Sequence, residues 1–286
     1  MFLINRLTII GVGLIGGSLA RALRSKGAVG EVVGVGRGTA NLEKAVELGV
    51  IDRFSHDPAV GVAGADLVFL ATPVCSLVEM TARIAPYLAP GVVVTDGGSV
   101  KEGLVAPCEA LMPQGCHFIG GHPIAGTEHS GVEASFATLY EGRRCILTPT
   151  ERTDPAALAT VQRMWEVAGS EVVTMDVIKH DRVLAAVSHL PHMVAYALVN
   201  AVAGYDRFDE NILHYSAGGF RDFTRIASSD PVMWRDIALM NREAVVEMMD
   251  YFARYFSQLR DLVTAGDGPG LELFFAASKE SRDAIL

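Results

Sequence analysis

Cysteine is scarce in this 286-residue chain, and the four present build no motif. Cys75, Cys108, Cys116 and Cys145 form no C-x-x-C pair and no metal-ligand spacing, which reads as reduced thiols in a cytoplasmic protein with no metal site. Basic charge is also short, since 24 Lys and Arg face 33 Asp and Glu for a net charge of −9. A general nucleic-acid or anionic-membrane binder needs the opposite balance. Small anionic ligands are not excluded, because they feel only local charge. No uninterrupted apolar run reaches the roughly 18 residues of a membrane helix. There is no internal repeat, low-complexity tract or flexible linker. The G-x-S-x-G elbow is missing too, so Ser99 and Ser188 fit a hydrolytic nucleophile poorly.

What the chain has is apolar material: 50% hydrophobic residues against 20% charged, enough for full cores. Its length is about twice that of one domain, which predicts two. The N-terminus imitates a secretory signal, with Arg6, the apolar Leu7 to Leu19, and Ala20-Arg21-Ala22. The same residues also read as a strand (7–10), a glycine turn and a helix (14–24), followed by a second strand at 31–35. A signal peptide has no reason to be followed by that strand. Gly11-x-Gly13-x-x-Gly16 is weak evidence alone and much stronger inside such a βαβ unit. Gly11 permits the turn, Gly13 lets backbone approach a pyrophosphate, and Gly16 lets the helix pack on the sheet. Free N–H groups at the helix start, including Leu14 and Ile15, then face the phosphates.

The end of the second strand normally carries an acid that holds the ribose 2′-hydroxyl of NAD. Gly36 and Arg37 stand there instead. A small residue beside a guanidinium accepts a 2′-phosphate, so the cofactor reading is NAD or NADP, leaning toward NADP or dual use. The alternative is that Arg37 stacks on the adenine or lies in solvent.

Strands and helices continue to alternate. Strands are predicted at 65–71, 92–96, 117–119, 145–147 and 172–173, with helices at 78–88 and 158–168. That pattern specifies a doubly wound, Rossmann-type α/β domain with a mostly parallel sheet over residues 1–175. Ligands bind outside the carboxyl ends of such strands, where Thr72-Pro73, Gly98-Ser99 and Gly121-His122 should converge. From 176 to 286 the strands stop. Helical periodicity runs over 180–203, interrupted at Pro191, and 231–262 is nearly free of breakers, with Asp230 and Pro231 as start signals. One helix over 231–262 would be about 45–50 Å long. That length predicts an all-α domain that buries a face against a second copy, hence a homodimer.

Seven of eight histidines lie between 117 and 214. His189 and His192 could share a metal ion by spacing, but no further ligand cluster completes a site. Arg221 and Arg225, four apart, are either surface charge or clamps for a carboxylate.

Five segments together resemble the prephenate/arogenate dehydrogenase family of tyrosine biosynthesis. They are Gly11 to Ser18, Asp96-Gly97-Gly98-Ser99-Val100-Lys101, Gly121-His122-Pro123-Ile124-Ala125-Gly126, Ser188-His189-Leu190-Pro191-His192 and Gly219-Phe220-Arg221-Asp222. The resemblance implies an NAD(P)-binding domain, a helical substrate-binding and dimerisation domain, and an active site in the cleft between them. It implies oxidative decarboxylation of prephenate, a small dicarboxylate, to 4-hydroxyphenylpyruvate. Arogenate, giving tyrosine, is the alternative substrate. By the same resemblance His122 takes the ring hydroxyl's proton and Ser99 orients His122 and that hydroxyl. Arg225 binds a substrate carboxylate, with His192 and Arg221 in support. Thr127, Glu128 and Trp234 line the pocket, while His189 is structural. The chain leaves no room for a C-terminal regulatory domain, so any inhibition by tyrosine is expected to be competitive. Two rival readings are a related hydroxy-acid or imino-acid dehydrogenase, expected to rely on a Lys or other residues in place of His122-Pro123, and a dinucleotide sensor without turnover.

Overall fold

The computed structural model describes residues 2–127, 129–205 and 212–285. By its contacts the chain forms two compact units, Met1–Arg242 and Glu243–Leu286. The first opens with β1 (Ile4–Ile10), α1 (Leu14–Ser25), β2 (Val29–Val35), α2 (Thr39–Glu47), β3 (Arg53–Ser55) and the single turn α3 (Pro58–Gly61). β4 (Leu67–Leu70), α4 (Leu77–Ile84), β5 (Val93–Asp96), α5 (Val105–Ala110) and β6 (His117–Ile119) follow. The six strands form one parallel sheet in the order β3-β2-β1-β4-β5-β6. The apolar runs read as buried strands are buried on both faces: all of Leu67–Leu70 and Val93–Asp96 lie inside. The short β3 and the helix α2 carried no signal that the sequence reading used.

The order reverses between β1 and β4, so their carboxyl ends open the crevice where such sheets bind ligands. A second, smaller sheet joins β7 (Gly121–Pro123), β8 (Arg144–Leu147) and β9 (Glu171–Thr174), β7 antiparallel to β8 and β8 parallel to β9. Between β8 and β9 runs α6 (Pro155–Val167), started by Asp154, whose side chain accepts from Ala156 and Ala157 N–H. Trp165 of α6 is fully buried, edge-on to Phe69 of β4 and to Tyr140. One core thereby joins both sheets.

Every described element after Thr174 is helical. α7 (Val177–Leu184) passes through a π-turn at Ala185–His189 into α8 (Leu190–Ala203). The wider π-turn accommodates Pro191, which lacks an N–H, so the expected interruption is a bulge in a continuous helical stretch. By length and composition Val177–Ala203 is long and apolar enough to cross a membrane, yet it carries Lys179, Asp181 and Arg182, and three of its polar residues, His180, Asp181 and His189, are buried. α9 (Gly218–Thr224) runs into a tighter turn at Arg225–Ser228, and α10 (Pro231–Met240) is capped by Asp230 with Pro231 in its first turn, as the sequence suggested. α10 shares a core with Val74 and Leu77, next to the end of β4.

The single helix expected over 231–262 is two helices. It breaks at Asn241, and α11 starts at Arg242 and runs to Ala265. Asn241 is buried and its amide donates to the Asp181 carbonyl (2.8 Å) and to His189 Nδ1 (3.1 Å), partners a straight helix would not reach. The second unit comprises the rest of α11 and α12 (Gly268–Asp283), which starts at Asp267, whose carboxylate accepts from Gly270 N–H.

Candidate active site

The turn after β1 is built as a dinucleotide cradle. Gly11 has φ +100°, and a Cβ there would stand 2.4 Å from the Ala71 carbonyl oxygen. A Cβ on Gly16 would collide with Ile9 of β1 at 2.6 Å, so α1 sits on the sheet only because Gly16 has none. At Gly13 a Cβ would meet nothing within 4 Å, so the backbone there borders open space. Gly13 caps α1 without a side-chain hydrogen bond, and the N–H groups of the first turn stay open for an anion. These residues fit a pyrophosphate. Leu14 is buried, Ile15 is half-buried, and the Ile15 carbonyl accepts from Tyr140 (2.6 Å). Across the crevice, Thr72 accepts from the Ser76 hydroxyl (3.0 Å) and Pro73 is exposed at the start of the next turn.

Past β2, Gly36 is half-buried and Arg37 exposed. The ring of His56 joins the Gly36 carbonyl (2.9 Å) to the Thr39 hydroxyl (3.2 Å). His56 is the histidine outside the 117–214 cluster, and the loop after β3 brings it here.

His122 lies in β7, just after β6, and is buried. Its Nδ1 is 2.9 Å from His180 Nε2, and His180 Nδ1 is 2.7 Å from Asp181 Oδ1. Asp181 also accepts the backbone N–H groups of Lys101 and Glu102, both at 2.8 Å, which ties α7 to the loop after β5. That loop is held from below by a buried ion pair, Lys101 Nζ to Asp96 Oδ2 at 2.5 Å. Asp96 Oδ2 further accepts from Gly98 N–H, and Oδ1 from Gly121 N–H next to His122. Burial pushes the His122 pKa well below the usual histidine value, helped by the neighbouring His180 and Lys101. His180 is lowered by burial as well, against the opposing pull of Asp181.

A second group continues from Asn241. His189, hydrogen-bonded to it, meets Trp234 edge-on at 6.0 Å, and Trp234 stacks on His192 at 3.5 Å with the planes 21° apart. The Nε2 of His189 and the Nε1 of Trp234 are buried without a hydrogen-bond partner among the described residues. Burial lowers the His192 pKa, the Ser188 carbonyl accepting from Nδ1 (2.9 Å) opposes this, and the charge of Arg225 adds to the lowering. Contacts thus link His122, His180, Asp181, Asn241, His189, Trp234 and His192 into one array, and Arg225 acts on its His192 end through charge. Among the described residues no group of three or more His, Cys, Asp or Glu is placed to hold a metal ion.

Residues 19–174 match the family model for the nucleotide-binding domain of prephenate dehydrogenase, and 176–277 match that for its dimerization domain. The cyclohexadienyl dehydrogenase of Zymomonas mobilis is 37% identical over 100% of this chain and 97% of its own. The prephenate dehydrogenase of Bacillus subtilis is 34% identical over 98% of this chain and 76% of its own. The crystal structure of the A. aeolicus prephenate dehydrogenase in complex with hydroxyphenyl propionate and NAD+ superposes with a TM-score of 0.93, at 40% identity, covering 99% of this chain and 98% of that one. The chain belongs to the prephenate dehydrogenase family.

The architecture of the prephenate dehydrogenase family, a Rossmann-type domain followed by helices, is the one described above. The residues carried over from the family's motifs fall into groups. His122, His192 and Trp234 belong to the array, and Arg225 acts on its His192 end. Ser99 is half-buried in the loop after β5 and makes no hydrogen bond with a described residue; the partner of His122 is His180. Arg221 is exposed, with Nε 3.4 Å from the Ser216 hydroxyl, and α9 tightens after Thr224, so Arg221 and Arg225 are not on one regular helix. Thr127 is exposed and accepts from His129 N–H, and Glu128 lies outside the described residues. The sequence reading missed His180, Asp181 and Asn241. His180-Asp181 had a signal, a His-Asp pair one turn into a helix capped by Asp176, but nothing in the sequence tied it to His122, 58 residues away.

Proposed function

We propose that the protein oxidatively decarboxylates prephenate to 4-hydroxyphenylpyruvate with a nicotinamide dinucleotide as hydride acceptor. The observation that carries this is His122, buried and held neutral past the end of β6, in one array with Trp234 and His192, on which Arg225 acts through charge. Residues 1–175 hold the dinucleotide, at Gly11, Gly13, Leu14, Ile15, Gly16, Thr72 and Pro73, with Ser99 beside them. Residues 176–286 hold the substrate and the contact to a second copy. The nicotinamide, when bound, supplies the hydride acceptor; the chain supplies position and charge.

As hydride leaves the hydroxyl-bearing ring carbon, the hydroxyl proton passes to the neutral imidazole of His122. The opposite ring carbon loses CO2, the bonding pair enters the ring, and His122 returns the proton to the phenolic oxygen. Arg225 pairs with a substrate carboxylate, and the unpartnered N–H groups of His189 and Trp234 offer further donors to an anion. Gly36, Arg37, Thr39 and His56 place no carboxylate past β2, which supports use of NADP as well as NAD.

One observation favours arogenate as a second substrate. His192 Nδ1 is committed to the Ser188 carbonyl, so neutral His192 offers an acceptor at Nε2, suited to an ammonium. Rates for both substrates with both cofactors test the whole reading. Turnover of prephenate with either cofactor is expected, and no turnover of any of the four pairs would overturn it.

A further inference from the structure

We propose that His180 and Asp181 fix the tautomer of His122, placing its proton on Nδ1 and its lone pair on Nε2 before substrate arrives. The proposal rests on the reading of His122 as the group that takes the hydroxyl proton. It assigns His180 as a positioning residue that never touches substrate.

The Asp181 carboxylate receives the N–H groups of Lys101 and Glu102, so it is held rigidly and can only accept. His180 Nδ1, 2.7 Å away, must therefore carry a hydrogen. Neutral His180 then has a bare Nε2, and His122 Nδ1 at 2.9 Å must donate to it. The His122 lone pair is left on Nε2, which makes no hydrogen bond with a described residue. An isolated imidazole side chain favours the opposite tautomer, with hydrogen on Nε2 and no acceptor there for the hydroxyl proton.

The same chain balances charge when His122 becomes an imidazolium. The groups facing the two rings are Lys101 and Asp96 from β5 and its loop, Cys145 from β8, His189 from the π-turn, and Asp181 itself. Lys101 and Asp96 neutralise one another as a buried ion pair, and Cys145 is a thiol whose pKa burial raises. Asp181 is then the remaining anion, and His180 connects it to the charged ring by two hydrogen bonds.

Nitrogen NMR of the 15N-histidine-labelled protein at pH 8, with His122 assigned through His122→Asn, reads the tautomer directly and needs no turnover. The expected result is hydrogen on Nδ1 of His122, moving to Nε2 in His180→Leu. Hydrogen on Nε2 in the unaltered protein would overturn the proposal. In kinetics, His180→Leu is expected to lower kcat about 100-fold with KM nearly unchanged. His180→Gln, whose amide oxygen can accept from Nδ1–H, is expected to recover about 10-fold of that. Equal turnover of the Leu and Gln variants, or normal turnover of a folded Leu variant, would overturn it. Failure of the underlying reading looks different, because then His122→Asn itself retains normal turnover.

Discussion

Lys101 and Asp96 form an ion pair at 2.5 Å with neither side chain exposed at all, directly beneath the loop that clamps Asp181. Lys101 also donates to the carbonyls of Gly98 and Val100, so its ammonium is fully committed. Removing one partner leaves a buried, uncompensated charge. Lys101→Met is expected to destabilise the fold by about 3–5 kcal/mol in urea unfolding, and Asp96→Asn added to it to recover part of the loss. A loss below about 1 kcal/mol would mean that the charges are solvated in solution.

His122→Asn keeps a polar side chain in β7 but removes the base. Turnover is expected to fall by about 100- to 10,000-fold while substrate affinity, read by titration, changes little. The pH profile of the unaltered enzyme carries the same information. A base works unprotonated, so activity is lost as pH falls through its pKa. Burial lowers that pKa well below 6.5, and the acid limb attributable to His122 should therefore lie well below pH 6.5. Normal turnover of the variant would remove His122 from the mechanism.

Arg225→Ala tests the carboxylate clamp. A charge-assisted hydrogen bond to an anion is worth about 1.5–3 kcal/mol, so KM should rise about 10- to 100-fold, with kcat much less affected. Arg221→Ala should be milder, because Arg221 is turned toward Ser216. An unchanged KM in Arg225→Ala would refute the clamp.

Family resemblance and burial account for the oligomer prediction. Residues 176–277 match a dimerization domain, and α11 exposes Tyr251, Phe252, Tyr255 and Phe256, the last at 62%. Apolar rings in that number rarely stay in water. Light scattering at micromolar protein is expected to give twice the 30.5 kDa chain mass, and Phe256→Glu to lower it. A single species at the chain mass in the unaltered protein would count against the homodimer.

The Rossmann-type half was legible because its signals are local. The glycine turn and the buried strands each lie within a few residues of what they specify. The helical half was less so. Asn241 breaks the long helix because its amide is drawn to Asp181 and His189, 60 and 52 residues away, and no pattern in 231–262 records that attraction. The His122 partner was hidden for the same reason. Ser99 is near His122 in the order of motifs, whereas His180 reaches it only through the packing of α7 against the loop after β5.

Buried histidines also set how stability depends on pH. His122, His180, His189 and His192 all have pKa values lowered by burial, His189 to about 4. In the unfolded chain each titrates near 6.5, so between those values the unfolded state binds protons that the folded state refuses. Stability from these groups is therefore complete above about pH 7 and is lost as pH falls. One pH unit is worth about 1.4 kcal/mol, so His189 alone removes about 2 kcal/mol by pH 5 and about 3 kcal/mol by pH 4. Urea midpoints between pH 7.5 and 4.5 should fall steadily, with His189→Asn showing a shallower slope than the unaltered protein. A flat profile over that range would show that these rings are hydrated enough to protonate in the folded state.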